Sequence, residues 1–505
     1  MLSKIYSGTT IGLEGVLVSV EVDIPSQGFP GFTIVGLPDK SIDEAKERVR
    51  SAIVNSGFKM PDTKITVNLA PADIKKVGSG FDLPIALGIL SASQSVSSEI
   101  FRKSLFVGEL SLEGRLRKVP GIISLSLLAR EKKLENFFLP DENSYEASLV
   151  DGINVFPIKN LEELILYLNN EKIIIPKTSK KIDNYPFKKP SLVFENIKGQ
   201  SVAKRACEIA AAGFHNLLFK GPPGTGKTLL SRAFSSILPP MEKEEILEVT
   251  KIYSVAGLLK ESFFIDQRPF RTVHHTISRI GLVGGGSNPT PGEISLAHRG
   301  VLFLDEISEF PRGVLESLRQ PMEDGEITVS RAQGTLTFPS RFLLITASNP
   351  CPCGYLGHQK KACHCLPGAI LKYKKRLSGP LLDRIDLYVD VPPVDDLDLV
   401  SDLPTESSET IRARVIAARE RQKYRFKDLN IYTNSEMSSS DIKKFCRLDD
   451  QASNLLKQAI SKLSLSARSY FKTIKIAQTI TDLKNVEIID SACISEALQY
   501  RSSFD

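Results

Sequence analysis

The chain has 505 residues, of which 42% are hydrophobic and 25% charged, a balance that excludes a wholly disordered protein and predicts about three domains. No apolar run reaches the ~18 residues of a membrane span, only Lys4 and an early Glu14 stand where a signal peptide would begin, and a net charge of +6 permits a polyanion partner without requiring one. Seven cysteines are too few for a disulfide scaffold, so a reducing, cytoplasmic location is expected.

Residues 1–170 read as mixed α and β. Val16, Val18, Val20, Val22 and Ile24 alternate with Ser19, Glu21 and Asp23, the period of a half-buried strand. Ser41 and Glu44 have capping-box spacing, and Ala45, Val49, Ala52 and Ile53 then predict a helix stopped by Gly57. Residues 65–69 predict another strand. Residues 171–190 carry six lysines and three prolines and read as a linker.

From 191 to 400 the pattern is α/β. Short apolar strands at 216–219, 301–304 and 342–346 end in polar or glycine-rich turns, as in a parallel sheet covered on both faces. Residues 401–505 predict only helices, among them 450–463, 468–484 and 489–501.

Gly221-Pro222-Pro223-Gly224-Thr225-Gly226-Lys227-Thr228 fits the phosphate-loop pattern between a strand and a helix. Backbone N–H groups of such a loop surround the β-phosphate of ATP, the lysine neutralises the β- and γ-phosphates, and the threonine hydroxyl reaches Mg²⁺. Asp305 and Glu306 follow the 301–304 strand. The first is assigned to Mg²⁺ with Thr228, the second to activation of the attacking water. Asn349, at the end of the next strand, is expected to orient that water. Arg384 and Arg468 have no local explanation.

Cys351, Cys353, Cys363 and Cys365 form C-x-C-x₉-C-x-C, a four-thiolate set suited to Zn²⁺, with His358 and His364 as substitutes and four reduced thiols as the plainer reading. Residues 354–376 hold six basic residues and no acid, and 411–427 hold seven against Glu420 alone. Either run suits a phosphate backbone, or a solvated face.

These features together resemble the AAA+ family, more narrowly its magnesium-chelatase-like branch, and within that branch the ComM/YifB family. The most specific stretches are 271–278, 284–286 with 291–298, 349–354 and 377–386. The resemblance implies an α+β Lon-protease-like domain (1–170), a linker (171–190), an AAA+ core (191–400, with a zinc loop at 351–365) and an all-α lid (401–505). It implies that Asn349 is the first sensor, Arg384 an arginine finger acting on a neighbouring subunit, and Arg468 the second sensor, in a hexameric ring.

Residues 262–298 are surplus to a minimal core and resemble the insertion of this branch. The 326–338 hairpin would carry Arg331 and Gln333 into the central pore of the ring, to contact DNA. In the Lon-like region, Gly80 or Phe81 falls at the nucleophile position and Ile123 or Leu125 at the lysine. Ser79 and Lys118 are out of register, so no protease activity is expected. The implied function is an ATP-driven motor on single-stranded or branched DNA. It would promote branch migration in natural transformation and homologous recombination, with recombination proteins as partners. A chelatase-like or protein-remodelling ATPase is the alternative.

Overall fold

The computed structural model describes all residues except 178–191, 260–262, 287–288, 332–333, 359–360, 395–405, 430, 464 and 502–505, and not the side chains of 331–334. The described residues fall into two compact units, one from 1–186, 242–265 and 332–336, the other from the remainder.

The first unit is built on a seven-stranded mixed sheet. Its strands are β1 (Leu2–Ile11), β2 (Glu14–Asp23), β3 (Gly31–Val35), β4 (Lys64–Ala70), β5 (Ser104–Phe106), β6 (Asn136–Pro140) and β7 (Asn154–Ile158), in the order β3-β4-β2-β1-β5-β6-β7. β1 and β2 form an antiparallel hairpin with Ile5 opposite Val20. The alternation read in the sequence holds: Val18, Val20 and Val22 are fully buried while Ser19 and Glu21, on the other face, are partly buried.

Helix α1 (Ala45–Asn55) buries Ala45, Val49, Ala52 and Ile53, and Gly57 follows its end. The expected capping box is not formed. A short turn over Lys40–Asp43 precedes the helix, and Asp39 caps that turn by accepting from the Ile42 N–H and the Ser41 hydroxyl. Ser41 lies inside that turn, so Asp39, the residue before it, holds the capping position. Helix α2 (Asp82–Ala92) is apolar all round and almost wholly buried, which places it in the core. Helices α3 (Ile122–Glu131) and α4 (Leu161–Leu168) complete this part of the unit.

The second unit opens with α5 (Ser201–Gly213), strand β8 (Leu217–Lys220) and helix α6 (Lys227–Ala233). The next helix, α7 (Lys243–Val255), belongs to the first unit. There Ser254 donates to the buried Glu146 carboxylate and Lys118 to the Leu259 carbonyl. Lys243 pairs with Asp151 at 2.6 Å and Lys251 with Glu14 at 2.7 Å.

Returning to the second unit, the chain forms β9 (Phe270–Val273), β10 (Val301–Leu304), β11 (Glu326–Arg331), then β12 (Gly334–Pro339), whose residues 334–336 are counted with the first unit, β13 (Leu343–Ser348) and β14 (Leu387–Asp390). The five-stranded sheet is parallel throughout, in the order β9-β10-β13-β8-β14. Its central strands are buried on both faces, so they read as continuous apolar runs. The surplus expected at 262–298 is narrower than that, because Phe270–Val273 is itself a sheet strand paired with β10. Helices α8 (Ser408–Arg425), α9 (Ser439–Phe445), α10 (Asp450–Leu463), α11 (Ala467–Lys484) and α12 (Ser491–Gln499) follow. No helix among the described residues is long and apolar enough to cross a membrane.

Candidate active site

Parallel strands release their chain at one edge of the sheet, where ligands of open α/β sheets bind. The neighbours β10, β13 and β8 therefore deliver three turns to one place: Asp305 after Leu304, Asn349 after Ser348, and the phosphate loop after Lys220. Gly224 and Gly226 bend that loop with φ of +82° and +88°. Lys227 is 8% exposed, and its ammonium donates to the Gly221 and Pro222 carbonyls at 2.7 Å each and to Asn349 Oδ1 at 3.2 Å. Burial lowers its pKa, and Asp305 and Glu306 oppose the shift. Thr228 donates to Asp305 Oδ2 at 2.8 Å, which places a hydroxyl and a carboxylate together as Mg²⁺ ligands require. Thr225 is buried and tied to Pro222 O. Glu306 is exposed in a left-handed conformation (φ +51°), so its carboxylate is free of the Thr228–Asp305 pair.

Arg384 and Arg468 lie elsewhere. Both meet Glu323, which is half exposed: Arg384, itself buried, through an ion pair and Arg468 at 3.9 Å. They line a cavity of about 540 Å³ with Lys472, Lys475, Asn216 and Phe342. Asn216, Phe342 and Asp386 precede β8, β13 and β14, so this cavity opens at the sheet edge opposite the phosphate loop. The four residues of β8 alone separate the two edges by about 13 Å. The two arginines and the phosphate loop of one chain are therefore not brought together. Glu323, Lys472 and Lys475 escape sequence reasoning because nothing near them in the chain marks them.

The four cysteines converge. Cys351, Cys353 and Cys363 sulfurs are 3.4, 3.7 and 3.6 Å apart, and all four Sγ atoms lie within 4.8 Å of one another. Four sulfurs at ~2.3 Å from a tetrahedral zinc would be about 3.8 Å apart, so the thiols fit that ion. Backbone N–H groups of Leu356 and Tyr355 donate to Cys351 and Cys353, and the second of these bonds leads the fall of the Cys353 pKa to about 6. Neither His358 nor His364 is in the set.

Of the basic runs, Lys361, Lys372, Lys374 and Lys375 are exposed. The 411–427 run differs from the phosphate-facing surface expected of it. Arg414 pairs with Glu208 and Glu406, Arg419 donates to Ala211 O, and Arg421 and Arg425 bind Asp482. Gln333 and the side chain of Arg331 lie outside the described residues. In the first unit, Ser79 donates to Glu109 while Lys118 is held by Leu259 O, so the two form no pair, and Phe81, Ile123 and Leu125 are buried.

Family profiles of the magnesium chelatase subunit ChlI match residues 193–399, 20–143 and, for its C-terminal part, 405–501. The fold and site define a magnesium-chelatase-like AAA+ ATPase. The chain is 44% identical to the competence protein ComM of Haemophilus influenzae over 99% of its own length and 97% of that protein. It is 41% identical to YifB of Escherichia coli over the same shares, and 29% identical to the magnesium-chelatase 67 kDa subunit of Heliobacterium mobile over 43% of this chain and 36% of that one. It belongs to the ComM/YifB family.

Proposed function

We propose that this ATPase is a ring-forming DNA motor that drives branch migration of single-stranded or branched DNA during natural transformation and recombination. The observation that carries the hydrolytic part is the meeting of Lys227, Thr228, Asp305 and Asn349 at one sheet edge. In this reading the loop 221–226 cradles the phosphates of ATP, Thr228 and Asp305 hold Mg²⁺, Glu306 accepts a proton from the attacking water and Asn349 orients it. Arg384 and Arg468 serve the nucleotide of the next subunit, because their cavity lies at the edge away from their own phosphate loop. That division of labour requires a closed head-to-tail ring, of which a hexamer is our reading.

The DNA part is supported by the name of the competence relative and by the exposed lysines beside the cysteine loop. The four cysteines hold a structural zinc that shapes this basic loop for phosphate contact. Residues 1–170 act as a Lon-like domain without protease activity, and the 326–339 hairpin carries Arg331 and Gln333 toward DNA in the pore. The second reading, a chelatase-like motor, is favoured by the magnesium-chelatase profiles.

The test is ATP turnover with and without single-stranded, branched and duplex DNA across a salt series. Stimulation by single-stranded or branched DNA that weakens steeply with salt is expected. Turnover indifferent to every form of DNA at low salt would sink the DNA reading and promote the chelatase-like one.

A further inference from the structure

Resting on the zinc assignment above, we infer that the metal braces the phosphate loop and thereby sets the affinity for ATP. The strands β8 and β13 are in register, with Lys220 opposite Ser348, and Gly221 N donates to Ser348 O at 3.2 Å. The phosphate loop and the cysteine loop therefore leave the sheet side by side. Cys351, fully buried, stands two residues after Asn349, whose side chain holds Lys227. The turn from Cys351 closes when Gly354 N donates to Cys351 O at 3.0 Å. A Cβ on Gly354, whose φ is +83°, would stand 2.6 Å from Pro223 Cδ, so the turn lies directly on the shoulder of the phosphate loop.

The far end of the cysteine loop is anchored at the same place. Tyr373 is buried with its hydroxyl bonded to Ser308 and Ser348, and Arg376 pairs with Glu309 at 2.7 Å. Between these anchors, the described residues from Cys351 to Leu366 contain no helix or strand. A segment with no ladder of its own takes its shape from the bound metal, whose binding energy is then folding energy. With the metal in place, Gly354 is a fixed wall for Pro223 and the chain holding Asn349 is taut. Without it, both supports of the phosphate loop slacken, and the loop must be ordered by the nucleotide itself.

The experiment uses the full-length protein, elemental analysis for zinc and titration with a fluorescent ATP analogue. Stripping zinc with a chelator that spares Mg²⁺ should weaken analogue binding about tenfold, the scale of a small misplacement of binding groups, and added zinc should restore it. Gly354→Ala should keep its zinc and still bind the analogue several-fold more weakly. Unchanged affinity in zinc-stripped protein, or in Gly354→Ala, overturns the brace while leaving the metal assignment standing. Protein purified without chelator that contains no zinc overturns the metal assignment itself.

Discussion

Asn349 Oδ1 accepts a hydrogen bond from Lys227 Nζ at 3.2 Å, joining the turns that follow two adjacent parallel strands. A group at the end of β13 is thus tied to the lysine proposed to meet the phosphates. Glu306→Gln should keep ATP binding and lower turnover by about 10²-fold or more, the scale of lost water activation, whereas Asn349→Ala should lower turnover and, losing its bond to Lys227, weaken ATP binding as well. Steady-state ATPase beside analogue binding checks this, and near wild-type turnover in Glu306→Gln would remove it from the mechanism.

Arg384→Ala should bind ATP and hydrolyse it about 10³-fold more slowly, as expected for loss of an arginine finger. Mixed with Lys227→Ala, it should regain activity, because each variant supplies what the other lacks across a subunit boundary. Mixed rings without recovery would count against action in trans.

The exposed lysines give a salt-dependence prediction. If Lys372, Lys374 and Lys375 touch phosphates, replacing all three by alanine should flatten the plot of log affinity against log salt by roughly 0.7–0.9 for each phosphate that is no longer neutralised. An unchanged slope in a binding titration would make them an ordinary solvated face.

Asp82 is fully buried against Arg48, with bonds of 2.7 and 3.0 Å. Burial pushes its carboxyl up to about 6, Arg48 pulling the other way. With an unfolded value near 4, this group favours the fold most below about pH 4, and that contribution is lost as pH rises through 6. Hydrogen exchange in α2 should therefore report a loss of about 1 kcal/mol between pH 5 and 7. Asp82→Asn should flatten that trend; an identical trend in the variant would assign it to other groups.

Among the C-terminal helices, Arg425 pairs with Asp482, which is fully buried and also accepts from Asn434 at 2.8 Å. Asp482→Ala should destabilise these helices by about 2 kcal/mol or more, because the part-buried Arg425 guanidinium and the Asn434 amide both lose a buried carboxylate. Urea unfolding followed by circular dichroism measures it, and a change below about 1 kcal/mol would show the pair to be replaceable.

What can be read from the sequence follows from how local each signal is. The phosphate loop, Asp305 and Asn349 are legible because their chemistry demands fixed residue types at strand ends. The β2 alternation and α1 are legible from period alone. Helix α2 is not, since a segment apolar on every side has no period to read. The basic run at 411–427 misleads because its acidic partners lie outside it and two of the three are remote: Glu208 lies 206 residues from Arg414 and Asp482 lies 57 from Arg425, while Glu406 lies 8 from Arg414. Glu323, which gathers Arg384 and Arg468, is invisible for the same reason.

The membership of α7 in the first unit bears on how the chain is made. Glu146 waits for Ser254, and Glu14 for Lys251, so the amino-terminal unit is still incomplete when residue 186 leaves the ribosome. Its last helix is complete about 70 residues later, roughly 3–14 s at ~5–20 residues per second. During that interval the surface that receives α7 is uncovered, and nascent chains stalled before residue 265 are the ones on which a chaperone should be found.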